Sequence, residues 1–338
     1  MHRRSNNKTY ETQFNPILRA RVSNLKPLLT LLRGVHFKEK ANFAISEDGI
    51  SVIIEESKCF QGHSVLKKNL FDVYDFFPER DRFQHLHQND FLSHNPPLKP
   101  SISFAINLDT LVQCIMLYSG GPRATYSSNS VAFGTNDQVV TRTDPSNTFP
   151  LNTSLGTQTY LTGNRASVEF IYGSELDPKL IVIIEEDGVV SRCALPTFEI
   201  EYFEPLTINK DILASRINID SDLFKKSLQS LDNTGSYITL NIELENPQFK
   251  LHTSGSTGYS QINMNVGTAL EVTCIDGRSK SYSYKFHQFL YLIKALSLCE
   301  VTKINLEITG LLQIQALMFS QASNSLVEFY FIPESEVH

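Results

Sequence analysis

Closely spaced carboxylates are the first candidates for chemistry in this sequence of 338 residues. Asp220 and Asp222 stand at the start of a predicted helix. Two further pairs alternate along predicted strands, which directs their side chains to solvent: Glu199 with Glu201, and Glu243 with Glu245. A two-metal nuclease needs several carboxylates that converge on one cleft, whereas acidic residues at a helix start cap free amides and complement the helix dipole. We therefore interpret Asp220 and Asp222 as capping residues.

Histidines supply the second set of candidates, namely His85, His87 and His94, with Asp90 nearby. They fall in residues 76–100, where no period is sustained, and this predicts a long surface loop. Such a loop does not hold ligands in the fixed geometry that a metal site requires. The glycines at 255 and 258 lack the lysine and the spacing of a phosphate-binding loop. We predict no catalytic residue, no metal and no cofactor.

Composition describes an ordinary globular chain, with 41% hydrophobic residues, 20% charged residues and a formal charge of −6. Affinity for phosphates comes from lysine and arginine, so any contact with nucleic acid must be local. The five cysteines are far apart and show no C-x-x-C spacing, so neither a disulfide framework nor a zinc site is predicted. No stretch resembles a signal peptide or a membrane span. We expect a soluble intracellular protein in a reducing compartment.

Hydrophobic periodicity divides the chain into two similar α+β halves. Each half contains two predicted helices, and each helix follows a strand and precedes a run rich in hairpins. The helices are 24–33, 108–118, 222–231 and 286–298. The first domain is predicted over 1–194, a connector bounded by prolines over 195–209, and the second domain over 210–338. Residues 119–164 are rich in Ser, Thr, Asn, Gly and Pro, which predicts a disordered insertion in the first domain.

Three stretches resemble a known family. They are HFKEKANFAISEDGISVIIEESKCFQ from His36, LIVIIEEDGVVSRC from Leu180, and LVEFYFIPESEV from Leu326. Their sequences are similar to those of the Rad-one family of the heterotrimeric checkpoint sliding clamp, the nine-one-one complex, which is related to proliferating cell nuclear antigen. The resemblance implies a two-domain sliding-clamp fold in which each domain is an antiparallel sheet with two helices on one face.

The resemblance also implies a function and a set of partners. The chain would join two other clamp-like subunits in a heterotrimeric ring, be loaded onto double-stranded DNA at damage by an ATP-dependent loader, and recruit checkpoint and repair proteins in the nucleus. A metal-dependent 3′ to 5′ repair exonuclease is the alternative, because that activity has been attributed to the family. A third possibility is an interaction protein of this fold without a role on DNA.

Helices that line a ring should turn a polar, partly basic face to DNA and hold it by its phosphates. In the third helix the apolar stripe is Leu223, Phe224, Leu228 and Leu231, and in the fourth it is Phe286, Phe289, Leu290 and Ile293. The predicted DNA-facing residues are Lys26, Arg33, Lys225, Lys226, Gln229, His287, Gln288, Tyr291 and Lys294. The second helix offers Asp109, Thr110 and Gln113 and no basic residue, so contact should be weaker there. The alternative for each lysine is a solvated surface charge.

Two further surfaces follow. By resemblance, a peptide from a partner would dock in an apolar groove lined by Leu195, Pro196, Phe198, Ile200, Tyr202, Tyr330, Ile332 and Pro333; alternatively, these residues only pack the connector onto its domain. Sheet edges would join neighbouring subunits, because an unpaired edge strand accepts another strand. The predicted edges are Ser167–Tyr172 in the first half and Ser281–Lys285 in the second.

Overall fold

The computed structural model describes residues 15–83, 100–118, 166–231, 235–244, 248–256, 258–320 and 323–334. The predicted insertion 119–164 and most of the predicted loop 76–100 lie outside these residues. The start of that loop is more regular than predicted, because Pro78–Arg80 forms one helical turn and Phe83 is buried. The helices are α1 (Leu25–Val35), α2 (Leu108–Tyr118), α3 (Ser221–Ser230) and α4 (Phe286–Leu296).

Within the described residues, the strands fall into two sets of nine, on either side of the connector. The first half contains β1 (Leu18–Val22), β2 (Lys40–Ser46), β3 (Gly49–Glu56), β4 (Phe60–Lys67), β5 (Val73–Phe76), β6 (Ile102–Asn107), β7 (Ser167–Tyr172), β8 (Lys179–Glu186) and β9 (Val189–Pro196). The second half contains β10 (Leu213–Asp220), β11 (Tyr237–Glu243), β12 (Gln248–Gly255), β13 (Gly258–Asn265), β14 (Leu270–Cys274), β15 (Lys280–Lys285), β16 (Val301–Glu307), β17 (Leu312–Ser320) and β18 (Ser323–Phe331).

The predicted two-copy repeat is confirmed. Each half runs in the order strand, helix, five strands, helix, three strands. In the first half, strands β5-β1-β7-β8-β9 form one sheet and β4-β3-β2-β6 belong to another; the corresponding strands of the second half are β14-β10-β16-β17-β18 and β13-β12-β11-β15. The two halves are therefore built on one plan.

The sheets differ from the predicted single sheet in each domain, because one sheet belongs to both halves. β18 pairs antiparallel with β4, with Phe331 opposite Phe60 and Val327 opposite Ser64. This pairing joins five strands of the second half to four strands of the first in a continuous nine-stranded sheet. Local periodicity predicts strands but not which strands pair across the chain.

The four helices form one layer, in the order α2, α1, α4, α3, because each contacts the next. α1 packs on β3, β4, β17 and β18, and α3 packs on β10, so the layer covers one face of the nine-stranded sheet. Asn24 caps α1, with its side chain accepting from the Lys26 amide at 3.3 Å. Gly34 permits the close approach of α1 to β18, since an added Cβ would lie 3.0 Å from a Val327 methyl carbon.

Aromatic side chains fill the space where the halves meet, and we call Phe37, Phe60, Tyr291, Phe329 and Phe331 the seam cluster. The ring of Phe60, which is fully buried, lies 4.7 Å from those of Phe37 and Phe331. It also stacks on Phe329 at 6.0 Å. Because the cluster draws on β4, α4 and β18, the two halves share one core here.

Candidate nucleic-acid and partner interfaces

The layer of helices exposes most of the residues that were predicted to face DNA. Lys26, Lys226, Gln229, His287 and Lys294 are exposed, and Arg33 and Lys225 are half-buried. Gln288 is a correction to the prediction, because it is only 1% exposed. Tyr291 is half-buried and stacks on Phe37 of the seam cluster with ring centroids 5.2 Å apart. Contact of the remaining residues with DNA stays a prediction.

α4 buries a wider face than its apolar stripe predicts, because it touches the first half as well as its own sheet. The Gln288 amide donates to Cys59 Sγ at 3.2 Å, and the Tyr291 hydroxyl donates to Glu56 Oε1 at 3.2 Å. Leu290, predicted to be buried, is 37% exposed, while Leu292 is fully buried. The spacing of residues 288, 292 and 295 is a second helical stripe, which could have indicated this contact.

Asp220 and Asp222 have structural roles at the start of α3. Asp220 caps the helix, as predicted, by accepting from the Leu223 amide at 2.9 Å. Asp222 lies 3.0 Å from Lys225 Nζ and 2.6 Å from Lys226 Nζ. Hydrogen bonds from Lys226 and Lys225 hold the pKa of Asp222 below its ordinary value. Exposed ion pairs of this kind are weak, so both lysines can exchange this partner for a phosphate.

The other metal-ligand candidates are dispersed or lie outside the described residues. Residues 85, 87, 90, 94 and 245 are not described. Glu199 is exposed, Glu201 pairs with Lys40 at 3.1 Å, and Glu243 contacts Lys250. In the described ranges, no three His, Cys, Asp or Glu side chains lie together as metal ligands would.

Three helices meet at a cluster that the sequence did not indicate. We call Arg33, His36, Asp109 and Lys294 the three-helix junction. His36 Nε2 contacts Asp109 Oδ1, and Lys294 Nζ lies 3.4 Å from His36 Nδ1. Burial, together with the charges of Lys294 and Arg33, lowers the pKa of His36 despite the opposing effect of Asp109. Burial and the charge of Arg33 likewise lower the pKa of Lys294.

The connector is hydrogen-bonded to the nine-stranded sheet, first at its β6 edge and then at β4. Phe198 and Ala105 of β6 exchange backbone hydrogen bonds of 2.8 and 2.9 Å. The Gln61 side chain of β4 then bonds the connector twice, since its Nε2 donates to the Glu204 carbonyl and its Oε1 accepts from the Leu206 amide, both at 2.8 Å. The chain between the halves is therefore bound along its length.

The predicted apolar groove is not formed by all of its residues. Leu195, Ile200 and Tyr330 are buried, whereas Phe198 and Tyr202 are 47% and 67% exposed. Pro196 and Ile332 are also exposed, and Pro333 is half-buried. For the buried residues, the structure supports the alternative that they pack within the protein.

Tyr330 lies in a polar network rather than in an apolar wall. Its hydroxyl accepts from Gln313 Nε2 at 2.9 Å and donates to Glu328 Oε2 at 3.3 Å. Burial raises the pKa of Tyr330, and burial also lowers the pKa of His63, beside it, to about 4. The network includes Gln61, whose Oε1 lies 3.0 Å from His63 Nε2. Polar residues at alternate positions of β4, β17 and β18 are the sequence signal for it.

Replacing Gln61 by leucine is expected to free the connector. The change removes the donor to Glu204 and leaves the Leu206 amide without its acceptor, which costs about 1–3 kcal/mol for a buried group. We expect faster hydrogen exchange at residues 204–206 and a comparable loss in the free energy of unfolding. Gln113→Leu, at an exposed site on α2, is the matched control. Unchanged exchange in the Gln61 variant would show that other contacts hold the connector.

The sheet edges correct the predicted joining strands. β7 is an interior strand, between β1 and β8, so it cannot accept a neighbour. β15 does end its sheet, but the Glu334 amide donates to the Ser283 carbonyl at 2.8 Å, so the C-terminal segment already covers it. β9 and β13 also end their sheets, and their side chains are mostly exposed. Val189, Val190 and Tyr259 are 62%, 64% and 76% exposed.

Comparison with known proteins assigns the family. The family described as "Repair protein Rad1/Rec1/Rad17" matches residues 17–318. The mouse and human proteins named "Cell cycle checkpoint protein RAD1" are each 22% identical over 319 residues, which cover 94% of this chain and 92% of theirs. The "DNA damage checkpoint control protein rad1" of Schizosaccharomyces pombe is 22% identical over 91% of this chain and 84% of its own length. No described helix is long and apolar enough to cross a membrane. The chain belongs to the Rad1/Rec1/Rad17 family of repair proteins.

Proposed function

We propose that this chain is a non-catalytic subunit of a heterotrimeric checkpoint clamp that encircles double-stranded DNA. The family and its relatives named as checkpoint proteins support a role in the DNA damage checkpoint. On this proposal the chain works in the nucleus, is loaded by an ATP-dependent loader and recruits checkpoint and repair proteins. Asp220 caps α3, and Asp222 forms ion pairs with Lys225 and Lys226. These structural roles favour the clamp subunit over the exonuclease.

The repeated strand order of the two halves is the observation that supports assembly into a ring. Within the chain, β18 of the second half pairs with β4 of the first. Their counterparts in the repeat are β9 and β13, which each end a sheet. If β9 of one subunit paired with β13 of the next, the same nine-stranded sheet would form again between chains. A joint repeated within and between subunits generates a ring when its rotation closes, and we propose that it does so here.

The helix layer supplies the surface for DNA. It presents basic residues from α1, α3 and α4 on the side away from the sheet. Lysine and arginine contacts to phosphates give binding that is independent of sequence and sensitive to salt. Such contacts suit a protein that holds a duplex without reading its bases, and they are compatible with the overall charge of −6 because they are local.

The mass of the assembly tests this proposal. We expect native mass spectrometry of the complex purified with this chain to show one copy of it with two different clamp-like chains. Replacing both Val189 and Val190 by aspartate places charge on the exposed β9 edge, so we expect the trimer to be lost while the chain stays folded. Leu176→Asp, at a loop residue that is 76% exposed, is the control. A monomer or a homodimer from the unmodified chain would contradict the proposal.

A further inference from the structure

The three-helix junction brings charged groups from both halves to one point of the helix layer. Arg33 is in the last turn of α1, and His36 is the residue that follows this helix. Asp109 is in the first turn of α2, and Lys294 is in the last turn of α4. Asp109 and Lys294 retain exposure to solvent, whereas the His36 side chain is only 16% exposed.

Hydrogen bonding fixes the state of the imidazole. The Asp109 carboxylate can only accept, so His36 Nε2 carries the hydrogen that it donates to Asp109. Lys294 Nζ, 3.4 Å from Nδ1, can only donate, so Nδ1 offers a lone pair. His36 is therefore a neutral imidazole that links the carboxylate of α2 to the ammonium group of α4. Asp109 orients the ring, and the ring orients the lysine.

The charges of the junction are unbalanced. Two cations, Arg33 and Lys294, share a single carboxylate, and that carboxylate is engaged by His36. Burial lowers the pKa of Lys294, and repulsion from Arg33 lowers it further. Lys294 Nζ lies 3.4 Å from Nδ1 of His36, which follows Arg33 by three residues at the end of α1, so both cations lie beside the same imidazole. An anion between them would remove this repulsion and would be held by charge-assisted hydrogen bonds.

We propose that Arg33, His36 and Lys294 bind one backbone phosphate of double-stranded DNA, with Asp109 as the positioning residue for the imidazole. This inference rests on the proposed function. It adds that residues from both halves, Arg33 and His36 from the first and Lys294 from the second, contact the same phosphate. Duplex DNA is the source of phosphate that fits a site on the exposed side of a helix layer. Free inorganic phosphate offers the same chemistry and is an arm of the test.

Binding at this site is coupled to a proton. The charged groups that act on the imidazole are Lys294 from α4, Asp109 from α2 and Arg33 from α1. Without phosphate, the pKa of His36 lies below its ordinary value, so the ring is neutral near pH 7. A bound phosphate draws the ammonium group away from Nδ1 and favours the imidazolium, which raises this pKa. Binding therefore takes up a proton, and affinity rises as pH falls between the two pKa values.

Calorimetry of the complete complex with a short duplex tests the coupling. Titrations at pH 6.5 in two buffers with different ionisation enthalpies give the protons taken up per duplex. We expect net uptake, with affinity rising by up to about tenfold per pH unit for one linked proton. His36→Gln keeps a donor for Asp109 but cannot titrate, so the uptake should disappear. His252→Gln, at a histidine of β12 outside the helix layer, is the control and should retain it.

The salt dependence of duplex binding distinguishes a failure of this phosphate site from a failure of the proposed clamp function. Lys294→Gln should reduce the slope of log affinity against log salt by about 0.9, the contribution of one phosphate. If the unmodified complex binds duplex with normal salt dependence but His36→Gln leaves proton uptake unchanged, the proposed site is wrong while the clamp function stands. Absence of any duplex binding would refute both. Proton uptake with inorganic phosphate alone, and none with duplex, would make this a free-anion site and overturn the proposal.

Discussion

Replacing Phe60 by alanine is expected to lower the free energy of unfolding by about 3–5 kcal/mol, the range for removing a buried aromatic ring. Phe60 is fully buried and touches the other four members of the seam cluster, with ring centroids between 4.7 and 6.0 Å away. The cavity would lie between β4 and β18, so it would also weaken the pairing of the halves. Chemical denaturation of the purified chain measures the loss.

Phe198→Ala is the matched control, because the same ring is removed from a site that is 47% exposed. It should change the free energy of unfolding by less than about 1 kcal/mol. If both variants lost the same stability, Phe60 would not anchor a core shared by the halves. An effect below about 1 kcal/mol for Phe60→Ala would likewise mean that the seam closes around the cavity without cost.

Reversing the charges of Lys225 and Lys226 together is expected to produce the largest loss of DNA binding. Both lysines project from α3, where each forms an ion pair with Asp222. Glutamate at both positions replaces attraction to phosphates by repulsion, so we expect affinity for duplex to fall by roughly 10–100-fold at low salt. The salt slope should fall by about 1.8 if each lysine neutralises one phosphate. Fluorescence anisotropy across a range of salt concentrations measures both quantities.

The control for this experiment reverses two lysines outside the helix layer. Lys210 and Lys303 are exposed, and Lys303 alternates along β16 with the buried Ile304. The double reversal there changes the net charge equally but should leave affinity for duplex within about twofold, because screened charges act only over about one Debye length. Equal losses in the two double variants would indicate a general charge effect. No loss at Lys225 and Lys226 would favour an interaction protein without a role on DNA.

The sequence predicted those elements that local patterns determine. Helical periodicity located α1 to α4 to within a few residues, and the acidic start of α3 identified the Asp220 cap. For α1, the 3.6-residue spacing predicts a buried stripe of Leu25, Leu28, Leu29 and Leu32. The structure buries Leu31 as well and leaves Leu29 only half-buried. The difference arises because α1 packs against two other helices as well as the sheet, which widens its buried face.

Contacts between distant segments could not be predicted in this way. The pairing of β4 with β18 joins residues more than two hundred positions apart, and no local period specifies it. The burial of Gln288 depends on Cys59, and the position of Lys294 depends on His36, so each follows from the contact between halves. The polar network around Tyr330 depends on β17 and β4 lying on either side of β18. Sequence alternation identified the faces of these strands but not their neighbours.

The continuous nine-stranded sheet has a mechanical consequence for any assembly that this chain forms. Bending one half relative to the other would stretch the hydrogen bonds between β4 and β18 and disturb the packing of Phe60 behind them. A sheet that crosses the boundary therefore makes the chain stiff between its two halves. If the chain joins the proposed ring, the compliance of that ring would lie at the joints between chains, where no covalent connector reinforces the strands. We would then expect the ring to open between subunits while each subunit moves as one body.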